Sequence, residues 1–593
     1  MKPSRNVLAE IARSKHEKVK VAITDIDGIL RGKYLQKDKF LSAAESGFGF
    51  CNVVFGWDSS DVCYDNGKFT GWHTGYPDAL ARIDPSTYRT VPWDGGIPFF
   101  LGDFDLDVCP RTLLKRVLGR ARKAGFTAKC GAEFEWFNFK ETPQTLAAKN
   151  YADPQPLTPG MFGYSLLRAG LNQPYFAALL DQLPAFGVPL EALHTETGPG
   201  VTEAAIAYSE ALEMADRAVL FKTAVKEIAY RHGIVASFMS KWNAKLPGSG
   251  GHLHLSLWDA AGKKNVFHDP RDPWKMSATF KSALAGQLRC LPEILPFFAP
   301  NVNSYKRLVD GYWSPTKPTW GIDNRTVAFR VIPGGEKSIR VEVRIGGADI
   351  NPYLAIAASV ASALYGVEKG LKLTDQPIKG SAYQESSIPR LPRTLAEATS
   401  RLSDSKIARE LFGDAFVDHF VRTRQWEWSQ FADAVTNWEL QRYFDEINNL
   451  PRDVAYNGKI LRDCFCRAFG LLTPDAANPG RQMVNTAKFE TLAKAWLSAM
   501  DSARLDDIPG YEEIALKLKS PAARTSATTQ PSPAGGIKGQ PQPGPGVQPG
   551  QGGFPGPGVQ PGQGGFPGPA VQPGQGGNPG PGIPPGPGGK GQP

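Results

Sequence analysis

The sequence is poor in cysteine, with seven in 593 residues, at positions 51, 63, 109, 130, 290, 464 and 466. The count is odd, no framework spacing is present, and Cys464-Phe-Cys466 is too close for a usual zinc pair, so a disulfide-stapled scaffold is excluded. Reduced thiols in a cytoplasmic protein are the expectation. Long apolar runs are missing as well. The greasiest stretch, residues 353–367, is short and interrupted by serine, which suits a packed core helix and not a bilayer span. Residues 1–18 are polar and charged without an apolar core segment, against a secretory leader. No cluster of one charge sign stands out either. The net charge is +9, of which Arg524, Lys538 and Lys590 contribute three, leaving +6 on the rest. Lysines and arginines there are scattered among acids, so neither a nucleic-acid nor a membrane-binding footprint is expected, while anionic substrates remain compatible.

Residues 521–593 lack acids and nearly all large apolar side chains, being Gly, Pro and Gln. Such a composition cannot bury enough surface to offset chain entropy, which predicts disorder. Val547, Val559, Val571 and Ile583 recur every twelve residues, a period that is neither collagen's nor a solenoid's and reads as a duplicated linker-like tail.

Upstream, residues 20–110 hold short β-type runs broken by turns: VKVAITDIDG, RGKYL, FCNVVFGWD and TVPWDGGIPFFLGDFD. After Pro110 the period changes. TLLKRVLGRARKAG puts apolar residues 113, 114, 117 and 118 on one helical face, and the strand CGAEFEWFNF follows. Beyond it, acid-bearing strands alternate with helices expected over residues 202–232, 278–291 and 351–370. An aromatic-rich helical block over 395–449 and an amphipathic helix over 486–505 complete an α+β pattern.

Four segments carry chemistry. In AEFEWF, Glu133 and Glu135 alternate with Phe134 and Trp136, so the carboxylates share one strand face. A solvated strand face is the bland alternative, but bulky residues on the opposite side favour a buried sheet with a site above it. In HTETGPGVTEAAI, a Gly-Pro-Gly turn can fold Glu203 back beside Glu196. In GSGGHLHLSLWD, His252, His254 and Ser256 face one side after a glycine-rich loop. Oxygen-rich ligation with one imidazole suits Mg²⁺ or Mn²⁺ better than zinc. Residues 303–346 are dense in arginine. Arg340, Glu342 and Arg344 alternate, either as a salt-bridge ladder or as an anion site joined by Arg307, Arg325 and Arg330. Together these segments offer five carboxylates and a histidine for two divalent cations, plus an arginine set for anions. That equipment suits phosphoryl transfer.

The same segments, in this order, resemble the glutamine synthetase family. EFEWF is similar to its E-x-E-F-F strand, HTETGPGVTE to its H-H-E…P-G-Q-x-E segment and GSGGHLHLSL to its N-G-S-G-M-H-x-H-x-S-L loop. NSYKRLV, NRTVAFR, RVEVR and NPYLA complete a series running over residues 21–449. The resemblance implies an N-terminal β-grasp domain over 20–110 behind a polar, helical extension at 1–19. It also implies a catalytic α/β domain over 111–510 and leaves the repeat tail at 521–593. It further implies that Glu135, Glu196 and Glu203 hold one cation beside the amino-acid substrate, while Glu133, His252 and Glu342 hold the other against ATP. His254 and Ser256 would sit by the nucleotide, Arg325 and Arg330 by the transferring phosphoryl group, and Arg307, Arg344, Gly248 and Glu135 by glutamate. Arg325 and Arg307 would be catalytic. The implied reaction activates glutamate as an acyl phosphate that an amine attacks, in a ring-stacked homo-oligomer, expected as a dodecamer, with sites between subunits.

Three departures qualify this. Where the family closes its site with a glutamate, this chain has Trp313. The family's ammonium-binding aspartate falls on Trp57 or Asp58, depending on a one-residue gap, and the asparagine expected before Gly248 is Pro247. An aromatic wall in place of an anionic pocket favours a larger or less charged amine than ammonia. TDIDGILRGKYL, WGIDNRTVAFRV and AVTNWELQRYFDEI also resemble the γ-glutamyl-amine and polyamine ligase branch. Glutamine synthesis from ammonia is the alternative. Two readings of other classes are a non-catalytic assembly protein of this fold, and a phosphatase using the Asp25-x-Asp27-Gly28 loop as nucleophile.

Overall fold

In the computed structural model, residues 4–443, 471–475, 478–484, 488 and 491 are described. Two compact units divide the chain, residues 1–447 and 448–593. The second contributes a hairpin of Leu472–Asp475 with Asn478–Val484. The repeat tail, Cys464, Cys466 and most of the helix expected over 486–505 lie outside the described residues, although Lys488 and Thr491 are helical.

In the first unit, Lys18–Thr24 buries Val19, Val21 and Ile23 on one side and nucleates a six-stranded sheet. It pairs antiparallel with Leu30–Gln36 and parallel with Ile97–Phe104. Ile97–Phe104 in turn joins Asp78–Ile83 and Arg89–Val91, and Phe48–Cys51 forms the far edge. The helices Ser4–Arg13 and Lys37–Ser46 cover it, with Ile11, Phe40, Phe100 and Phe104 in a shared core.

The larger sheet has eight strands. Its path runs Trp320–Ile322, Phe329–Ile332, Arg340–Val343, Gly251–Asp259, Phe126–Phe139, Val201–Glu210 and Leu190–Thr195, with Val235–Ser237 paired to Phe126–Phe139. Alternation along Phe126–Phe139 sends Ala132, Phe134 and Trp136 into the core, where Phe134 and Trp136 pack on Phe221 of the helix Ala211–Arg231. Glu133 and Glu135 are thereby left on the opposite face. The same helical layer contains Pro110–Lys123, Ala278–Ile294 and Pro352–Glu368. Residues 353–367 lie within the last of these, almost wholly buried. Among the described residues no helix is long and apolar enough to cross a membrane, and the five described cysteines are free thiols.

One expectation is corrected. Residues 202–232 are not a single helix, because Val201–Glu210 is a strand and the helix begins at Ala211. Its alanine-rich sequence suits a helix, but pairing with strands on both sides wins, and its inner positions alternate between buried and half-buried.

Buried polar ties connect the smaller sheet to the helical layer. The Arg111 guanidinium meets Asp84, Asp103 and Asp216 at 2.8, 2.6 and 2.9 Å, and the Tyr353 hydroxyl donates to Asp216. Asn351 caps Pro352–Glu368 while its amide donates to the Ile26 carbonyl. Arg424 reaches Asp27 at 2.6 Å and also donates to the Pro300 carbonyl.

Candidate active site

Strand register assembles the site. Glu135 lies opposite Glu203, His252 opposite Glu133, and His254 opposite Glu342, so four neighbouring strands each deliver an acid or an imidazole to one face. The Gly-Pro-Gly turn does bring Glu196 back to Glu203, with the Glu196 amide donating to the Val201 carbonyl across it. Glu133, Glu135, Glu196, Glu203 and His252 line a cavity of about 430 Å³ whose wall also includes Gly248, Arg307, Trp313, Arg325 and Arg344. A second cavity, of about 240 Å³, contains His254, Ser256 and Arg340. Glu133 belongs to both walls and marks where the two meet.

Three groups of donors are close enough to share an ion: Glu133 with Glu203 and His252, Glu133 with His254 and Glu342, and His194 with Glu196 and Glu203. The charge balance fits a cation. Burial, together with Glu135, Glu133 and Glu196 around it, pushes the Glu203 carboxyl up to about 9, as expected where like charges crowd without a counter-ion. His254 Nε2 is buried 3.1 Å from Glu133 Oε1, yet makes no well-aligned hydrogen bond. His252 Nδ1 stands 3.6 Å from Glu342 and 3.9 Å from Glu133. Burial opposes ionisation of Glu342, but Arg344 and His252 outweigh it and hold the carboxyl near 2.

Arginines form the facing wall. Glu342 is bracketed by Arg330 at 2.8 Å and Arg344 at 2.5 Å, so Arg330 and not Arg340 completes the ladder, and Arg330 also pairs with Asp323. Arg340 points the other way and donates to His254 Nδ1 at 3.1 Å. Arg307 is buried, its guanidinium donating to the carbonyls of Ile345 and Arg344 with no carboxylate bound among the described residues. Burial, with Arg344 beside it, pulls Arg307 down to about 10, so it stays cationic and available to an anion at neutral pH. A Cβ on Gly248 would lie 2.5 Å from the Ser240 carbonyl and 2.9 Å from Arg307, which explains a glycine there. Glu135 is held in place by the Gly250 amide at 2.9 Å.

Other residues were not singled out from sequence. His194 alternates with Glu196 at the end of its strand and contacts Glu203 at 3.6 Å, a pattern the acids alone overshadowed. Tyr164 packs against it with tilted rings 4.5 Å apart and, with Tyr312, adds to the aromatic wall of Trp313. Tyr208 and Lys337 line the smaller cavity. No local motif marks these three aromatics or the lysine.

Trp57 does not line either cavity of its own chain. Its ring lies 4.9 Å from the Arg31 guanidinium, beside the smaller sheet. Asp58 there caps a turn through the amides of Ser60 and Val62 and accepts from Trp426. Asp25 is buried, its oxygens taken by Arg31 and the amides of Asp27 and Ile29, which is a structural assignment and leaves no free nucleophile.

Residues 107–443 match the family model for the glutamine synthetase catalytic domain. The chain is 56% identical over 450 residues to "Type-1 glutamine synthetase 2" of Dictyostelium discoideum, covering 74% of this chain and 86% of that protein. It is 38% identical to "Glutamate--isopropylamine ligase" of a Pseudomonas species, over 74% of this chain and 97% of the relative. Among solved structures it resembles "GmaS/ADP complex" with a TM-score of 0.65 at 28% identity, covering 74% of this chain and 99% of the other. Matching fold, site and relatives together, the chain belongs to the glutamine synthetase family and is an ATP-dependent carbon–nitrogen ligase.

Proposed function

We propose that this ligase joins the side-chain carboxylate of glutamate to an amine other than ammonia, through a γ-glutamyl phosphate. The observation that carries the reading is Trp313. It stands in the wall of the larger cavity, at the position where the family resemblance places a glutamate, beside Tyr164 and Tyr312. An indole there offers stacking and cation–π surface where ammonium would need a carboxylate. The acids of the cavity, Glu133, Glu135, Glu196 and Glu203, are all engaged as cation-holding groups in this reading. That leaves no carboxylate among them for the far ammonium of a polyamine, and favours a monoamine with an apolar arm.

Glu135, Glu196 and Glu203 would hold one divalent cation, and Glu133, His252 and Glu342 the other; Mg²⁺ or Mn²⁺ suits these donors. When bound, the cations neutralise phosphate charge. Arg307, Arg344 and Gly248 bind glutamate, with Arg307 orienting the attacking carboxylate. Arg325 and Arg330 stabilise the phosphoryl group as its bond to ADP breaks and its bond to the glutamate oxygen forms. The amine nitrogen then attacks the acyl carbon, phosphate leaves with the electron pair, and the positively charged nitrogen so formed loses its proton to solvent. His254 and Ser256 flank the nucleotide. The catalytic domain over 111–510, the β-grasp domain over 20–110 and a ring-stacked homo-oligomer belong to the same reading. The exposed Leu166, Leu167, Leu171 and Trp72 support burial against further copies.

Glutamine synthesis from ammonia is the second reading, and the name of the Dictyostelium relative favours it. The two separate on a single comparison. Glutamate-dependent phosphate release is measured with ammonium, methylamine, isopropylamine, ethanolamine, putrescine and spermidine in parallel. An alkyl monoamine with the highest kcat/KM supports the proposal, and ammonium far ahead of every amine overturns it.

A further inference from the structure

Behind the aromatic wall lies a third cavity of about 390 Å³, lined by Lys241, Tyr305, Lys306, Arg390 and Arg393. It belongs to neither of the cavities already described.

Most of its positive charge is uncompensated among the described residues. Arg390 is paired with Asp310, which also accepts from the Thr316 hydroxyl. Lys241, Lys306 and Arg393 have no ion pair among the described residues. Lys241 is 6% exposed, and its Nζ makes no hydrogen bond among the described residues; it rests on the Tyr312 ring at 4.3 Å. Lys306 similarly covers Phe431. Glu397 belongs to its own helix start, where one carboxylate oxygen accepts from the Arg393 amide and its backbone amide donates to the Thr394 hydroxyl. Burial, with Arg307 nearby, lowers the Lys241 ammonium below its ordinary value, as for a cation that lacks its counter-charge. Independently, Tyr305 is 7% exposed and its hydroxyl is buried without any hydrogen-bond partner. A buried hydroxyl left unpaired is unfavourable unless something fills its place.

We infer that this cavity is a binding site for a small dianion, a dicarboxylate or a phosphate group, held by Lys241, Lys306, Arg393 and the Tyr305 hydroxyl. Residues carrying ammonium, guanidinium and phenol donors around a space of this size match such a ligand. The site has a mechanical link to catalysis. Tyr305 and Arg307 share the short helix Ser304–Arg307, and the segment from Val309 to Thr316 borders the dianion cavity while Tyr312 and Trp313, carried between them, line the catalytic one. A bound dianion draws Lys241 off the Tyr312 ring and so acts on the amine wall. The inference stands on this cavity alone and holds whichever amine the enzyme uses.

Calorimetry on the full-length protein tests it, with glutamate and a β,γ-methylene ATP analogue saturating so that the catalytic anion positions are filled. Inorganic phosphate and succinate are titrated separately. The expected result is one site per chain for at least one of them, weakened about tenfold or more in Lys306→Gln/Arg393→Gln, whose changed residues are exposed, consistent with loss of charged hydrogen bonds. Tyr305→Phe should weaken it several-fold. The stronger of the two titrants identifies the ligand class. Absence of binding by both, or binding unchanged in the double variant, overturns the inference.

Discussion

Trp313 sits at φ +57, in the left-handed region that non-glycine residues rarely occupy, with its carbonyl accepting from Arg344 and its side chain 59% exposed. A strained, exposed indole at the mouth of the cavity has no packing reason to be there. Replacing it by the family's acid, Trp313→Glu, should raise kcat/KM for ammonium relative to alkyl amines by about tenfold or more. An unchanged ratio would remove Trp313 from amine selection. The metal assignment is tested at Glu135, where Glu135→Ala should lower kcat by on the order of 10²–10³, with wild-type melting temperature in the apo state. Full activity in that variant would contradict the assignment. His419 gives a residue-scale pH effect. Buried against Phe55 and Phe69, it is pushed down to about 3, first by burial and then by Arg424. The folded chain refuses a proton that the unfolded chain accepts near pH 6.5, so stability is lost as pH falls below that value. Between pH 6.5 and 5, His419→Leu should lose about 2 kcal/mol less stability than wild type in denaturant titrations.

At the scale of elements, the helices Ala278–Ile294 and Pro352–Glu368 touch through glycine. A Cβ at Gly286 would come within 2.3 Å of the Ser362 carbonyl, and one at Gly366 within 2.0 Å of the Ser282 carbonyl. Gly366→Ala should therefore destabilise by about 1–3 kcal/mol through overpacking, read from the unfolding midpoint. Arg111→Met leaves Asp216 buried without its cation, while Asp103 keeps Lys115, and should cost about 3–5 kcal/mol. Much of this level was legible. Period-two alternation exposed the AEFEWF and HLHLS strands, and period-3.6 alternation exposed the helix after Pro110. The strand Val201–Glu210 was not, because alanine and glutamate favour helices in isolation and only the two flanking strands, distant in sequence, decide otherwise. His194 escaped for a related reason. Its role depends on lying opposite Glu203, a register that turn chemistry suggests but does not fix.

At the scale of the whole molecule, motif order made the family readable, since acids, histidines and arginines as far apart as Glu133 and Arg344 meet only on this sheet. The place of Trp57 was not readable in the same way. Within one chain it lies beside the smaller sheet and away from both cavities, so a part for it in amine binding requires a neighbouring copy. Light scattering should accordingly return the mass of a multi-subunit assembly, and a stable active monomer would exclude Trp57 from the site. The central claim is the choice of amine. Its most direct measurement is the ratio of kcat/KM for isopropylamine to that for ammonium, at saturating glutamate and ATP with Mg²⁺. The account predicts a ratio well above one that falls in Trp313→Glu; a ratio far below one in the wild-type enzyme would contradict it.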